Sequence, residues 1–367
     1  MNRHHALLAS SSMGLLMLAG CSAAGGTNSL PELGCTVDCN GNPKPDAGPG
    51  TPAQDAAAPA VDAGAGGSND ASSTTGSATW ADGMQLTSSV VIGPGATVTI
   101  APAAKITIGA GVTITVEGTL TASSSSGTHA LLESASKWGG IIVAKGGTLS
   151  LDGVDLTNAA TAIDTQSGNA AAAYDNATIT AASIPFEVEK GSKLTTSHSN
   201  VAGTLGTSSV SGSFTASHMD YASNGNEGIA TSDPTAALSI EDSTLHGTGP
   251  SGDMLVSSGG AATFHVAYSV IKDSHCAFHF DSISSFDISY VTDETNAWGA
   301  MLYGSDPAKG PYSITYSNIQ GNKSYALDES GSNGTITVDH SYVQGQSNVA
   351  GATNPQSAAV SGALPRP

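Results

Sequence analysis

The chain has 367 residues, of which 11% are charged and 5% aromatic, with 45 glycines. Eleven Lys and Arg face 30 Asp and Glu, a net charge of −19, so nothing basic is available to track a phosphate backbone and nucleic acid is excluded as a partner. The two arginines are Arg3 and Arg366, which leaves the interior without the side chain best suited to forked contacts with carboxylate or phosphate.

The chain opens with Arg3 in a short polar start, followed by an apolar stretch from Ala6 to Ala19 that is too short to span a bilayer. Leu18-Ala19-Gly20-Cys21 closes it. This ending resembles the bacterial lipobox, in which cleavage before the cysteine makes it a lipidated N-terminus. The resemblance implies a signal peptide over residues 1–20, a diacylglyceryl thioether and an N-acyl chain (palmitate-type) on Cys21, and stable anchoring by several acyl chains. Ser22 in place of an aspartate after that cysteine fits delivery to the outer membrane. The membrane, through the lipid, is therefore one expected partner.

Cys35 and Cys39 follow in Cys-Thr-Val-Asp-Cys, and in an oxidising compartment they are candidates for a small local disulfide. Residues 21–78 are mostly Gly, Pro, Ala, Ser, Thr and Asp and cannot bury enough apolar surface to offset chain entropy. They are expected to be a disordered tether, with about 55 residues giving a reach of roughly 40 Å. Residues 351–367 have the same composition and are read as a flexible tail.

Between these, over residues 79–350, short runs of Val, Ile, Leu and Thr are cut by Gly, Asn, Asp and Ser, with no helical period. Val98-Thr-Ile100, Ile106-Thr-Ile108 and Ile114-Thr-Val116 each read in-out-in, and three such strands fill one turn of about 24 residues. Further on, one motif returns: apolar, x, apolar, x, x, small or apolar, x, apolar. It begins at Leu149, Ala177, Leu194, Phe214, Leu238, Phe264, Phe286, Tyr312 and Ile336. The uneven period, averaging about 23 residues, predicts stacked coils with loops of varying length. Inward residues then stack on their equivalents at strand spacing, ~4.8 Å, and about eleven coils give a rod on the order of 50 Å long. An antiparallel sandwich competes less well, because hairpin dipeptides at regular intervals are lacking.

Leu238-Ser-Ile-Glu-Asp-Ser-Thr-Leu245 and Trp138-Gly-Gly-Ile-Ile-Val143 carry a resemblance to the right-handed parallel β-helix of the pectin-lyase-like superfamily, over roughly Leu86 to Val349. That family often lines a tight turn with an asparagine ladder. The corresponding positions here read His198, His218, Asp242, Tyr268, Tyr290, Tyr316 and His340, so an asparagine-type ladder is not expected at this turn. Enzymes of the superfamily use calcium-binding carboxylates with an arginine, or Asn-Thr-Asp, Asp-Asp, Gly-His-Gly and Arg-x-Lys signatures. The folded part has no arginine and none of these signatures.

Polar candidates are ranked on the same register. His198 and His218 fall one coil apart and read as turn residues in a column rather than as metal ligands. His275 and His279, in His-Cys-Ala-Phe-His, are weak metal candidates that lack a third and fourth ligand. Cys276 reads as a buried small apolar residue rather than a nucleophile. His265 and Asp287 share an outward column and read as surface scatter. Asp293 interrupts an inward apolar column and is read as a local looping-out, since a buried charge is costly unless paired. Glu187, His279, Asp281 and Asp328 would line the outer face of the first strand and are the catalytic candidates if the chain is a polysaccharide lyase or glycoside hydrolase. No cofactor is expected. An outward Ser/Thr column, Ser150, Thr178, Thr195, Thr215 and Ser239, could present hydroxyls to a sugar polymer, and is too irregular for ice. The resulting expectation is an outer-membrane lipoprotein whose β-helix is a non-catalytic binding or structural module for a polysaccharide or an envelope protein. The lyase or hydrolase is the alternative, and a spacer in a larger envelope assembly a third reading.

Overall fold

The computed structural model describes residues 73–349, except 125–126, 205, 250, 259–261, 305, 307 and 331–333. Cys21, Cys35 and Cys39, with the signal peptide expected over residues 1–20, the tether expected up to residue 72 and the tail expected at 351–367, lie outside the described residues. The first described strand, Ser73–Thr74, precedes the boundary placed at residue 79.

The described chain is all-β and forms three parallel sheets of 13, 12 and 12 strands. Each strand pairs with the strand three later in the chain, so three strands and three corners make one coil of about 23 residues. The first sheet runs from Ser73–Thr74 through Gly140–Val143 and Cys276–Phe280 to Gln346–Ser347. The second runs from Ser77–Trp80 to Thr337–Asp339, and the third from Gln85–Leu86 to Tyr342–Val343. The expected parallel β-helix of three-strand coils is the observed fold.

Alternation puts every second side chain inside. Val98, Ile100, Ile106, Ile108, Ile114 and Val116 are all buried, on three successive strands of one turn. Toward the C-terminal half the filling becomes aromatic: Phe280 packs against Phe264 and Phe286 with ring centroids 4.8 and 5.6 Å apart. In the Trp-Gly-Gly segment, Gly140 has φ 105°, and a Cβ there would lie 1.6 Å from the Thr161 carbonyl oxygen. Only glycine fits that approach.

One motif start is corrected. Leu149 pairs with Ala172 and Ala172 with Leu194, so the coil between begins at Ala172 and not at Ala177. Tyr174 takes the second inward position and Ile179 the third, displacing Ile179 and Ile184 from the columns expected for them. Thr178 accordingly leaves the outward hydroxyl column, where Ala173 stands. Four small alanines signal a strand less strongly than Ala-Thr-Ile-Thr does, and the Tyr174 ring fills the space with its hydroxyl donating to the Val154 carbonyl at 2.9 Å.

The turn after the second sheet is left-handed in nine consecutive coils. Gly153, Asn176, His198, His218, Asp242, Tyr268, Tyr290, Tyr316 and His340 have φ between 48° and 68°. The rings stack: His198 on His218 at 4.5 Å, Tyr268 on Tyr290 at 4.8 Å, Tyr290 on Tyr316 at 5.0 Å and Tyr316 on His340 at 4.9 Å. This bears out the reading of His198 and His218 as column residues. The residue after each turn is often a buried serine, and these form a ladder of their own. Ser243 Oγ accepts from the Met219 amide at 3.0 Å, Ser269 Oγ from the Ser243 amide at 3.1 Å, and Ser317 Oγ from the Val291 amide at 3.1 Å. At the corner after the third sheet, two asparagines do the same work. Asn296 Oδ1 accepts from the Ser274 amide at 2.8 Å and Asn322 Oδ1 from the Asn296 amide at 3.1 Å.

Asp293 is not looped out. It pairs in register with Ile271 and Ile319 and is 0% exposed. Its Oδ1 accepts from Asn296 Nδ2 at 2.8 Å and Asn322 Nδ2 at 3.1 Å, so the asparagine corner satisfies one carboxyl oxygen, while Oδ2 is buried without a hydrogen-bond partner.

Candidate functional site

The most concentrated group of reactive side chains lies on the outer side of the first sheet, across its strands Leu255–Ser257, Cys276–Phe280 and Trp298–Met301. Leu255 pairs with Phe278, which sets Asp253 one coil ahead of Cys276. His279 alternates with the buried Phe278 and Phe280 and so faces out, where it pairs with Met301 and, one coil on, Met301 with Asp328. Parallel register thus gathers residues from four coils onto one face.

Asp253 is the hub. One oxygen, Oδ1, accepts from the Cys276 amide at 3.0 Å and lies 2.8 Å from His275 Nδ1, while Oδ2 lies 2.5 Å from His279 Nδ1. The other nitrogen of His279, Nε2, is 3.2 Å from Asp281 Oδ1. Cys276 Sγ lies 3.3 Å from His275 Nδ1 and 3.0 Å from Met301 Sδ. Tyr303 packs edge-on to His279 and donates to Asp328 Oδ2 at 3.1 Å.

The electrostatics follow from this packing. Burial works to raise the Asp253 carboxyl, but hydrogen bonds from His279, Cys276 and His275 outweigh it and hold the group at about 2. The hydrogen bond to Asp253 raises His279, with burial opposing. Burial, reinforced by the Asp253 charge, pushes the Cys276 thiol far up. The thiol is therefore protonated and inert as a nucleophile, as expected. Its surroundings are polar as well as apolar, which was not.

The four catalytic candidates do not assemble. His279 and Asp281 touch, and Asp328 is linked to them through Tyr303. Glu187 sits on the strand Ile184–Val188, four strand positions from Cys276–Phe280 in the first sheet, or roughly 19 Å at strand spacing. It adjoins Asp164, whose carboxyl is pushed up to about 6 by burial and then by Glu187 and Glu189. The carboxylate pair of a glycoside hydrolase stands within about 10 Å, so Glu187 cannot pair with Asp281. His265 and Asp287 lie on the second sheet, with Nδ1 to Oδ2 at 3.1 Å, and do not join this group. Sequence reasoning missed Asp253, Met301 and Tyr303. The register of Leu255 on Phe278 is the signal that would have brought Asp253 to Cys276.

A second feature is the outer face of the second sheet. Its paired outward positions read Thr79, Thr99, Thr121, Ser150, Ala173, Thr195, Thr215 and Ser239 before His265 and Asp287. Two residues earlier in each strand a second outward column reads Ser77, Thr97, Thr119, Thr148, Ala171, Lys193, Ser213 and Ala237. No family model, curated protein or solved structure matches the chain.

Proposed function

We propose that the chain is a cell-envelope lipoprotein, held at the outer membrane through lipid on Cys21, that displays its β-solenoid as a non-catalytic binding module for a polysaccharide. The observation that supports this reading is the column of outward hydroxyls on the second sheet, present in seven of eight successive coils at strand spacing of ~4.8 Å and joined by a second hydroxyl two residues earlier in five of them. A sugar polymer offers donors and acceptors along its length, and a rigid row of hydroxyls meets them with little ordering cost on the protein side.

The test is retention of the full chain on a panel of immobilised acidic and neutral polysaccharides. Retention on at least one polymer is expected, with loss in a Thr99→Lys/Thr215→Lys variant, both of which sit exposed on that face. Cys21→Ser is expected to shift the chain out of the membrane fraction. The competing reading, a lyase or hydrolase, draws on His279 held between two carboxylates. New reducing ends or unsaturated-product absorbance that disappear in His279→Gln would replace the binding reading with it. Silence in every channel would point to a protein partner or a spacer role.

A further inference from the structure

The group around Asp253 brings donor atoms of three kinds together across two coils. A carboxylate oxygen, an imidazole nitrogen and a thiol sulfur, from Asp253, His279 and Cys276, lie within 4.8 Å of one another. A second imidazole nitrogen, His275 Nδ1, is 2.8 Å from that carboxylate and 3.3 Å from that sulfur. Two coils contribute, Asp253 from one and His-Cys-x-x-His from the next, so the donors converge from different directions.

We propose that Asp253, His275, Cys276 and His279 bind one zinc ion in a four-coordinate site. The inference is independent of what the hydroxyl face of the second sheet binds.

The donor set is the first argument. Oxygen, two nitrogens and one sulfur are the ligands zinc takes in tetrahedral sites. Bond lengths of about 2.0–2.3 Å set neighbouring donors about 3.3–3.6 Å apart in such a tetrahedron; Cys276 Sγ and His275 Nδ1 stand at 3.3 Å, while the hydrogen-bonded contacts of Asp253 with His275 and His279, at 2.8 and 2.5 Å, open by about 0.5–0.9 Å when the ion replaces the shared protons. The support for His279 is the second argument. A zinc-bound histidine offers one nitrogen to the metal and commonly donates its other N–H to a carboxylate. His279 turns Nδ1 toward the cluster and Nε2 toward Asp281 Oδ1. The third is preorganisation. The Cys276 amide already holds Asp253 Oδ1, so the carboxylate is aimed before any metal arrives. His275 is 40% exposed and leaves a way in from solvent, while Asp253 is 14% exposed. Binding releases the thiol proton of Cys276 and any proton on the cluster nitrogens to solvent, leaving thiolate and neutral imidazoles on the metal.

Cobalt(II) is the reporter, because a thiolate ligand gives it a near-ultraviolet charge-transfer band and tetrahedral coordination gives it intense visible bands. The full chain is titrated with Co2+ in a Cys21→Ser/Cys35→Ser/Cys39→Ser background, which removes every thiol but Cys276. One Co2+ per chain with both sets of bands, displaced by one equivalent of Zn2+, is the expected result. Cys276→Ser should abolish the charge-transfer band. Asp281→Asn, at a carboxylate 54% exposed and so without a burden on folding, should weaken Zn2+ affinity about tenfold. Circular dichroism of each variant separates loss of metal from loss of fold. Absence of the bands at stoichiometric Co2+, a band that survives Cys276→Ser, or bands from Cu+ or Cu2+ alone with no response to Zn2+ would overturn the site.

Discussion

A carboxyl group inside an apolar stack changes the stability of the protein with pH, and Asp293 is placed to show it. Burial raises it from an ordinary value near 3.8 to about 7; hydrogen bonds from Asn296 and Asn322 oppose the shift and the Glu294 charge adds to it. In the unfolded chain the group ionises near 3.8. Between about pH 4 and 7 the folded state therefore holds a proton that the unfolded state has lost, and stability falls as pH rises through that window. Above pH 7 both states are ionised and the penalty is complete. A displacement of about three units corresponds to a loss on the order of 4 kcal/mol. Asp293→Asn keeps the shape and removes the ionisation, so its melting temperature should exceed that of the wild type at pH 8 and approach it at pH 5. Thermal melts of both proteins at the two pH values make the check. Parallel pH trends in the two would show that Asp293 is not the group responsible.

At the scale of one structural element, the corner after the second sheet combines strain with its compensation. Eight of its nine left-handed positions are occupied by side chains with a Cβ, which disfavours that conformation in each. Ring stacking returns part of that cost, about 0.5–1.5 kcal/mol for a pair. It also closes the inner ring faces of each run, Tyr290 and Tyr316 being stacked on both sides. The buried serines beside it carry the larger share. Ser269 Oγ donates to the Ala267 carbonyl at 2.7 Å while it accepts from the Ser243 amide at 3.1 Å. Ser269→Ala leaves that amide buried without its partner and should destabilise the fold by about 1–3 kcal/mol in urea denaturation; a change below about 0.5 kcal/mol would show that the ladder is ornamental. The coil register was largely legible before the structure, because alternation and turn residues recur together at each corner. It failed at Ala172, where alanines replace branched residues and the Tyr174 ring supplies the volume. It also failed at Asp293, because the asparagines that hydrogen-bond to it lie three residues on and a further coil away. His275, Cys276 and His279 were visible as a local pattern, whereas Asp253, 23 residues before Cys276, comes to them only through strand register.

Across the whole solenoid the interior is not uniform, and this should govern how it unfolds. The early coils enclose Val98, Ile100, Ile106, Ile108, Ile114, Val116 and Leu120, aliphatic side chains that need no hydrogen-bond partners. The late coils bury Thr292, Asp293, Asn296, Asn318, Gln320 and Asp328. Polar groups so buried carry a desolvation cost that hydrogen bonds from neighbouring coils offset in part, Asp293 Oδ2 having none, and loss of one coil deprives the next of those bonds. In a stack where a coil meets only its neighbours, stability is close to a sum of coil and interface contributions, and opening begins where those sums are smallest. Amide hydrogen exchange under native conditions should therefore show protection decreasing from the strands around Thr97–Ile100 and Thr113–Val116 toward those around Thr292–Glu294 and Asn318–Gln320. Raising the pH from 5 to 8 should widen that gradient, since Asp293 ionises inside the late coils over the interval, whereas Asp164, which ionises near 6, is only half-buried and lies on the strand Thr161–Thr165 between the two regions. The widening is to be read after correction for the intrinsic pH dependence of exchange. Asp293→Asn should remove it without altering protection in the early coils. Uniform protection along all coils, opening as one cooperative unit at both pH values, would mean that the interfaces are strong enough to hide the difference in filling.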